Sequence, residues 1–231
     1  MSTLLSNPLW FATRATGSIA LILLTATTVL GIAGARRYAP ASRGRFEVAA
    51  LHRNLSLLSL ALLVTHICTA LADSYVPLGW ESGLVPFAAP YRTAWVGLGT
   101  VAFDMLLAVA LTSAFRLRIG LRRWKATHLL AYAAWPVAVF HAAGTGTDTK
   151  LGLQLALYVL CIAAVLAACW WRLYHAGPGH AAARTWAAVF SVAVPVAFYA
   201  FLTFGPLAPG WSHRAEQAAS AHRESVRGER W

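Results

Sequence analysis

Four histidines fall in two apolar stretches of the chain as matched pairs, His52 with His66 and His128 with His141. The members are spaced 14 and 13 residues apart, which on a helix rising about 1.5 Å per residue is roughly 20 Å of axial separation. Two such helices side by side put one imidazole opposite another at two depths. Imidazole is a standard axial ligand of haem iron, so each facing pair could clamp an iron porphyrin from both sides. The chemistry this supports is one-electron transfer through two haems stacked across a membrane. A single intramembrane histidine can instead bridge two helices or serve in a proton relay. Four of them in two level pairs favour metal ligation, so all four are candidate iron and haem ligands.

The elements that must carry these histidines are membrane spans. Hydrophobic residues make up 58% of the 231-residue chain and charged residues 12%, a profile outside that of soluble domains. A span needs about 20 largely apolar residues, and six stretches qualify: 10–34, 48–72, 94–115, 126–143, 152–174 and 185–208. The fourth is the shortest and contains Pro136. The expected architecture is an all-α membrane protein, a six-transmembrane-helix bundle binding two stacked b haems, over residues 1–210. Residues 211–231 form a polar C-terminal tail, expected to be disordered. Ala33-Gly34-Ala35 resembles a signal-cleavage site, but the preceding apolar run is long and Arg36-Arg37 follows it as a stop-transfer flank, so the first span is expected to be retained.

The net charge of +11 is best explained by topology. Arg36, Arg37, Arg43, Arg45 and Arg53 surround the first connection; Arg116, Arg118, Arg122, Arg123 and Lys125 surround the third; Arg172 and Arg184 flank the fifth. By the positive-inside rule these connections face the cytoplasm, which puts both termini outside the cell membrane. Membrane lipid is then the first partner. No base-reading motif or aromatic interleaving accompanies the charge, so nucleic acid is not an expected partner. Seven tryptophans, Trp10, Trp95, Trp124, Trp170, Trp171, Trp186 and Trp211, fall near span ends, where indoles favour the interface. Trp135 is the exception, in mid-span.

In this topology the second and fourth spans both run outward. His52 is therefore level with His128 on the cytoplasmic side, and His66 with His141 on the outer side. Angular register is less simple. At about 100° per residue, 14 residues return to within some 40° of the starting direction, whereas 13 miss by about 140°. Either Pro136 kinks or rewinds the fourth span, or His128 sits in a looser first turn.

The stretches Leu51-His52-Arg53-Asn54 through Thr65-His66, and Ala126-Thr127-His128 through Phe140-His141, resemble the ferric reductase-like transmembrane domain family, mainly over residues 10–175. That family includes the membrane cores of ferric reductases and NADPH oxidases and the haem-binding membrane subunit of the bacterial methionine sulfoxide reductase system. The resemblance implies two b-type haems held by His52/His128 and His66/His141. Ferric reductases and NADPH oxidases continue into a flavin and nicotinamide module. Here about twenty polar residues follow the last span, with no Gly-rich dinucleotide-binding turn. A separate electron donor is therefore expected, either membrane quinone in its reduced form or flavin carried by a partner, together with an extracytoplasmic acceptor protein or ferric iron.

Other residues complete the reading. Haem propionates need cationic partners near the interfaces: Arg14 and Arg92 are candidates at the outer level, and Arg53, Arg123 and Lys125 at the inner one, with plain interfacial anchoring as the alternative. Gly97-Leu98-Gly99 offers close backbone approach to a porphyrin or ordinary helix packing. Asp104, an acid inside the third span, is expected to be neutral, paired or near water. Cys68, Cys161 and Cys169 lack a CxxC spacing and read as small buried hydrophobes. No catalytic triad or carboxylate pair appears, so the expected activity is that of an oxidoreductase subunit whose chemistry belongs to its cofactor. Two alternatives stand beside it: a cytochrome b561-like quinol or ascorbate oxidoreductase, and a proton-relay transporter without haem.

Overall fold

The computed structural model describes residues 8–34, 42–73, 78–175 and 181–211. The elements are helical: α1 (Pro8–Gly34), α2 (Ser42–Ala72), α3 (Thr93–Ala114), α4 (Arg116–Ile119), α5 (Leu121–His128), α6 (Leu130–Thr145), α7 (Gly152–Tyr174) and α8 (Ala181–Phe204), with two short 3₁₀ turns at Trp80–Gly83 and Thr147–Lys150. Among the described residues, five helical segments are long and apolar enough to cross a membrane: Pro8–Gly34, Phe46–Ala72, Thr93–Ala114, Gly152–Tyr174 and Arg184–Phe204. The chain is a multi-pass, all-helical membrane protein. The stretch expected as a fourth continuous span, 126–143, is instead divided between α5 and α6. The sixth expected span runs on to 208, but α8 stops at Phe204, ahead of Pro206. There the Leu207 N–H turns back to the Leu202 carbonyl at 2.9 Å, a closure typical of helix C-termini. Of the polar tail, only Trp211 lies within the described residues.

The break between α5 and α6 falls at Leu129, seven residues before the proline. The Leu129 N–H is shared between the carbonyls of Lys125 and Ala126, both at 3.3 Å, and the Tyr132 N–H reaches back only three residues to Leu129 at 3.0 Å. This is 3₁₀-like winding, which turns about 120° per residue where an α-helix turns about 100°. The extra rotation has the sign needed to offset the shortfall of the 13-residue spacing. His128 thus occupies the end of a separate turn. Pro136 lies within α6. A second corner precedes it at Gly120, whose φ of 83° is a backbone conformation that favours glycine.

Helix α1 packs along α2, and α3 along α6; α1 also meets α6 and α7, and α7 meets α8. Helix α2 is seated on α1 and the Trp80–Gly83 turn but stands off from α3 and α6, leaving a slot between them. The packed core lies on the other side, where Leu21 and Ile32 of α1, Trp135 and Val139 of α6, Tyr158 and Cys161 of α7, and Phe198 and Leu202 of α8 form one cluster. Trp135 departs from the interfacial pattern because it belongs to this core: its indole N–H donates to Thr25 Oγ1 at 3.0 Å, so the buried polar group is satisfied. The opposite faces of α2, α7 and α8 expose Leu57, Leu160 and Tyr199 at 60%, 67% and 71%; in a bilayer these surfaces meet lipid. Trp135→Ala would remove the largest side chain joining α1 to α6. It is expected to cost about 3–5 kcal/mol, read as a large fall in the midpoint of thermal or detergent-induced unfolding.

Candidate functional site: two facing histidine pairs

The four histidines meet in the slot between α2 on one side and α5 and α6 on the other. His52 faces His128 with ring centres 6.3 Å apart and planes at 59°. His66 faces His141 with ring centres 6.3 Å apart and planes at 83°. These are the pairs expected from level alignment of two spans that run in the same direction. All four residues are partly buried.

The common separation has a chemical meaning. A ring nitrogen lies about 1.15 Å from the imidazole centre, and metal–imidazole bonds are about 2.0 Å, so two imidazoles on opposite sides of one metal ion have ring centres about 6.3 Å apart. The relative twist of the planes is free, because each ring can rotate about its own metal–nitrogen axis. Each level supplies two ligands. Among the described residues no cluster of three or more His, Cys, Asp or Glu side chains exists to cage a bare ion, and a structural zinc would want four. Two trans imidazoles suit an iron whose equatorial positions come from a macrocycle.

Three of the four rings are held by one repeated device. His66 Nδ1–H donates to the Thr13 carbonyl at 2.8 Å, His52 Nδ1–H to the Thr27 carbonyl at 3.1 Å, and His141 Nδ1–H to the Trp95 carbonyl at 2.8 Å. Fixing the proton on Nδ1 leaves the Nε2 lone pair for a metal and raises its basicity. Four residues beyond each carbonyl stands a glycine that the ring covers. A Cβ on Gly17 would lie 2.9 Å from the His66 ring, and one on Gly99 would lie 2.5 Å from His141 Nδ1; one on Gly31 would be in ordinary contact with His52 at 3.5 Å. The glycine of Gly97-Leu98-Gly99 nearer the pair therefore admits a histidine ring, while Gly97 admits Phe87 of the preceding loop.

This cradle was missed on reading the histidines alone, because a carbonyl acceptor carries no side-chain signature. A signal was nevertheless available. Thr13-x3-Gly17 and Thr27-x3-Gly31 repeat at 14 residues, the spacing of His52 and His66 on the helix that packs antiparallel to α1.

His128 is different. Among the described residues its buried Nδ1 has no hydrogen-bond partner, and no glycine backs it. Its ring rests against Trp124, with centres 5.1 Å apart and planes at 37°, and the Trp124 indole N–H donates to Ser113 Oγ at 3.1 Å.

The cationic candidates divide. Arg92 begins α3 with φ 44° and donates through a guanidinium N–H to the Gly144 carbonyl at 2.5 Å. Its Nε is buried without a partner among the described residues. Arg14 lies over the Trp10 ring at 4.9 Å and close to Gly146. Both thus stand beside the His66/His141 level. Arg53, Arg123 and Lys125 are exposed, and Asp104 is exposed on α3. Cys161 is buried, Cys169 intermediate and Cys68 exposed. Cys68 thus departs from the expected buried hydrophobe: its side of α2 borders an apolar cleft against Trp80, Leu84 and Phe103 and lies open to the bilayer.

The chain is a membrane helix bundle that brings four histidines together as two facing pairs. Residues 16–139 match the family described as ferric reductase like transmembrane component, and the chain belongs to that family. The match takes in α1 through most of α6, including His52, His66 and His128; His141 lies two residues beyond it. Comparison with curated proteins and with solved structures found no match.

Proposed function

We propose that this chain is a dihaem b-type subunit of a membrane oxidoreductase. It would carry electrons from the cytoplasmic side of the cell membrane to an extracytoplasmic acceptor, either ferric iron or a partner redox protein. The observation that carries the reading is the equal 6.3 Å separation of ring centres in the two histidine pairs, a spacing at which two imidazoles could share one iron. Haem supplies reversible one-electron chemistry when bound. The chain supplies its placement: His52 and His128 at the inner level, His66 and His141 at the outer. Binding is noncovalent, since the sequence contains no CxxCH attachment motif.

Two buried polar atoms without partners among the described residues support an outer-level occupant with acceptor and donor groups of its own. These are Arg92 Nε and Thr13 Oγ1, the second on the residue whose carbonyl holds His66. Arg92, with Arg14 beside it, is placed to neutralise a propionate. Arg53 is the inner-level candidate, from the exposed cytoplasmic end of α2.

In this reading α5 and α6 act together as the fourth of six spans. Their 121–145 stretch is roughly 35 Å long at about 1.5 Å per residue, enough for a hydrocarbon layer of about 30 Å. Both termini are then extracytoplasmic. The exposed Arg116, Arg118, Arg122, Arg123 and Lys125 give the inner face a positive field, toward which a separate donor, a reduced flavoprotein or membrane quinol, delivers electrons.

Electron passage can be tested in vesicles that hold the haem-loaded protein, with dithionite trapped inside and ferricyanide outside. External ferricyanide should be reduced well above the rate of protein-free vesicles, and the His66→Ala chain should fall back to that background. A haem-loaded wild-type protein no faster than empty vesicles would refute the transmembrane route.

A further inference from the structure

We propose that His128 is the exchangeable ligand of the pair and that the inner level, alone of the two, opens to a small neutral gas ligand of the carbon monoxide type. This rests on the two-haem reading above.

The four rings are held unequally. His52, His66 and His141 are each fixed by an Nδ1–H bond to a carbonyl on a neighbouring helix, at 3.1, 2.8 and 2.8 Å, and each ring lies over a glycine. His128 has neither support among the described residues. An imidazole whose N–H bonds to a carbonyl is a stronger donor and is locked in orientation; one without that bond is weaker on both counts.

The backbone adds to this. His128 ends the eight-residue α5, immediately before the Leu129 break, so no continuous helix clamps it from its C-terminal side. Leu121 and Leu129, at the two ends of this turn, are 64% and 62% exposed. Helix α5 packs on α3, α4 and α6, while its facing ligand is on α2. A displacement of α5 by part of a turn would withdraw His128 without disturbing His52, which is anchored to α1. The outer pair has no such weak member.

The exchange is a ligand substitution with no redox step. With haem bound, His128 Nε2 would leave the iron with its own lone pair, and the entering molecule would supply the pair for the bond that replaces it. His52 stays opposite, still bonded to Thr27.

The test uses the full chain with haem counted per polypeptide beforehand, reduced with dithionite and exposed to carbon monoxide. One carbon monoxide per chain should bind, shifting half of the haem spectrum. His66→Ala, retaining only the inner haem, should bind carbon monoxide at all of it. His128→Ala leaves His52 as the single protein ligand at the inner level; with that level saturated by excess haem, its C–O stretching frequency should coincide with wild type, because the same ligand stands opposite.

No carbon monoxide uptake by a chain shown to hold two haems would overturn this inference while leaving the haem reading intact. So would uptake in wild type that vanishes in His66→Ala, or a shifted stretching frequency in haem-saturated His128→Ala. Absence of haem at the first count would remove both readings together.

Discussion

His66→Ala and His141→Ala are each expected to lower bound haem from two per chain to one, with the inner haem retained. The two rings face each other at 6.3 Å, so under the proposed ligation either substitution would leave a porphyrin iron one protein bond in place of two. Removing only an outer hydrogen-bonding partner of a metal ligand typically costs about 10–100-fold in affinity; removing the ligand should cost at least as much. The core of α1, α6, α7 and α8 does not depend on these rings, so the variants should remain monodisperse in detergent. The count is made by extracting haem against a quantified protein concentration. Full haem content in both variants would mean that the outer pair does not hold the cofactor.

Gly99→Val should empty the same outer site without touching a ligand. A Cβ at position 99 would lie 2.5 Å from His141 Nδ1, with Cε1 of the same ring closer still, and valine adds two methyl groups of restricted rotation. The ring must leave the Trp95 carbonyl and swing out of line with His66. Outer-site occupancy is expected to fall at least tenfold, equivalent to about 1.4 kcal/mol or more. Gly31→Ala is the contrasting case: the new methyl would meet His52 at 3.5 Å, an ordinary contact, and both haems should remain. Equal tolerance at the two positions would show that the glycines serve helix packing and not the histidine rings.

The parts of this molecule written in side-chain type and period were legible before the structure was known. Apolar runs set out five of the six expected spans to within a few residues, because hydrocarbon thickness fixes their length; the remaining one, 126–143, is divided between α5 and α6. The level pairing of the histidines followed from spacing and direction. What was illegible depended on backbone. Leu129 is a good helix former, and nothing in its identity marks it as the point where α5 and α6 part, whereas Pro136, the conspicuous breaker, lies inside α6. The carbonyls of Thr13, Thr27 and Trp95 could have been supplied by any residue. Only the glycines four positions later left a trace, through a repeat in α1 that matches the histidine repeat in α2. Trp135 broke the interfacial pattern for a reason visible only in three dimensions, its hydrogen bond to Thr25 across the α1–α6 contact. The orphaned Nδ1 of His128 could not be read at all, since a missing acceptor has no sequence.

The central claim, that two facing histidine pairs hold two haems, is tested most directly by the ratio of noncovalent haem to polypeptide in the purified, haem-replete chain, read together with its oxidised and reduced visible spectra. The account predicts a ratio of two, with the low-spin b-type spectrum of bis-imidazole iron in the resting protein. A ratio of one or zero in haem-saturated preparations, or a spectrum without bis-imidazole character, would contradict it.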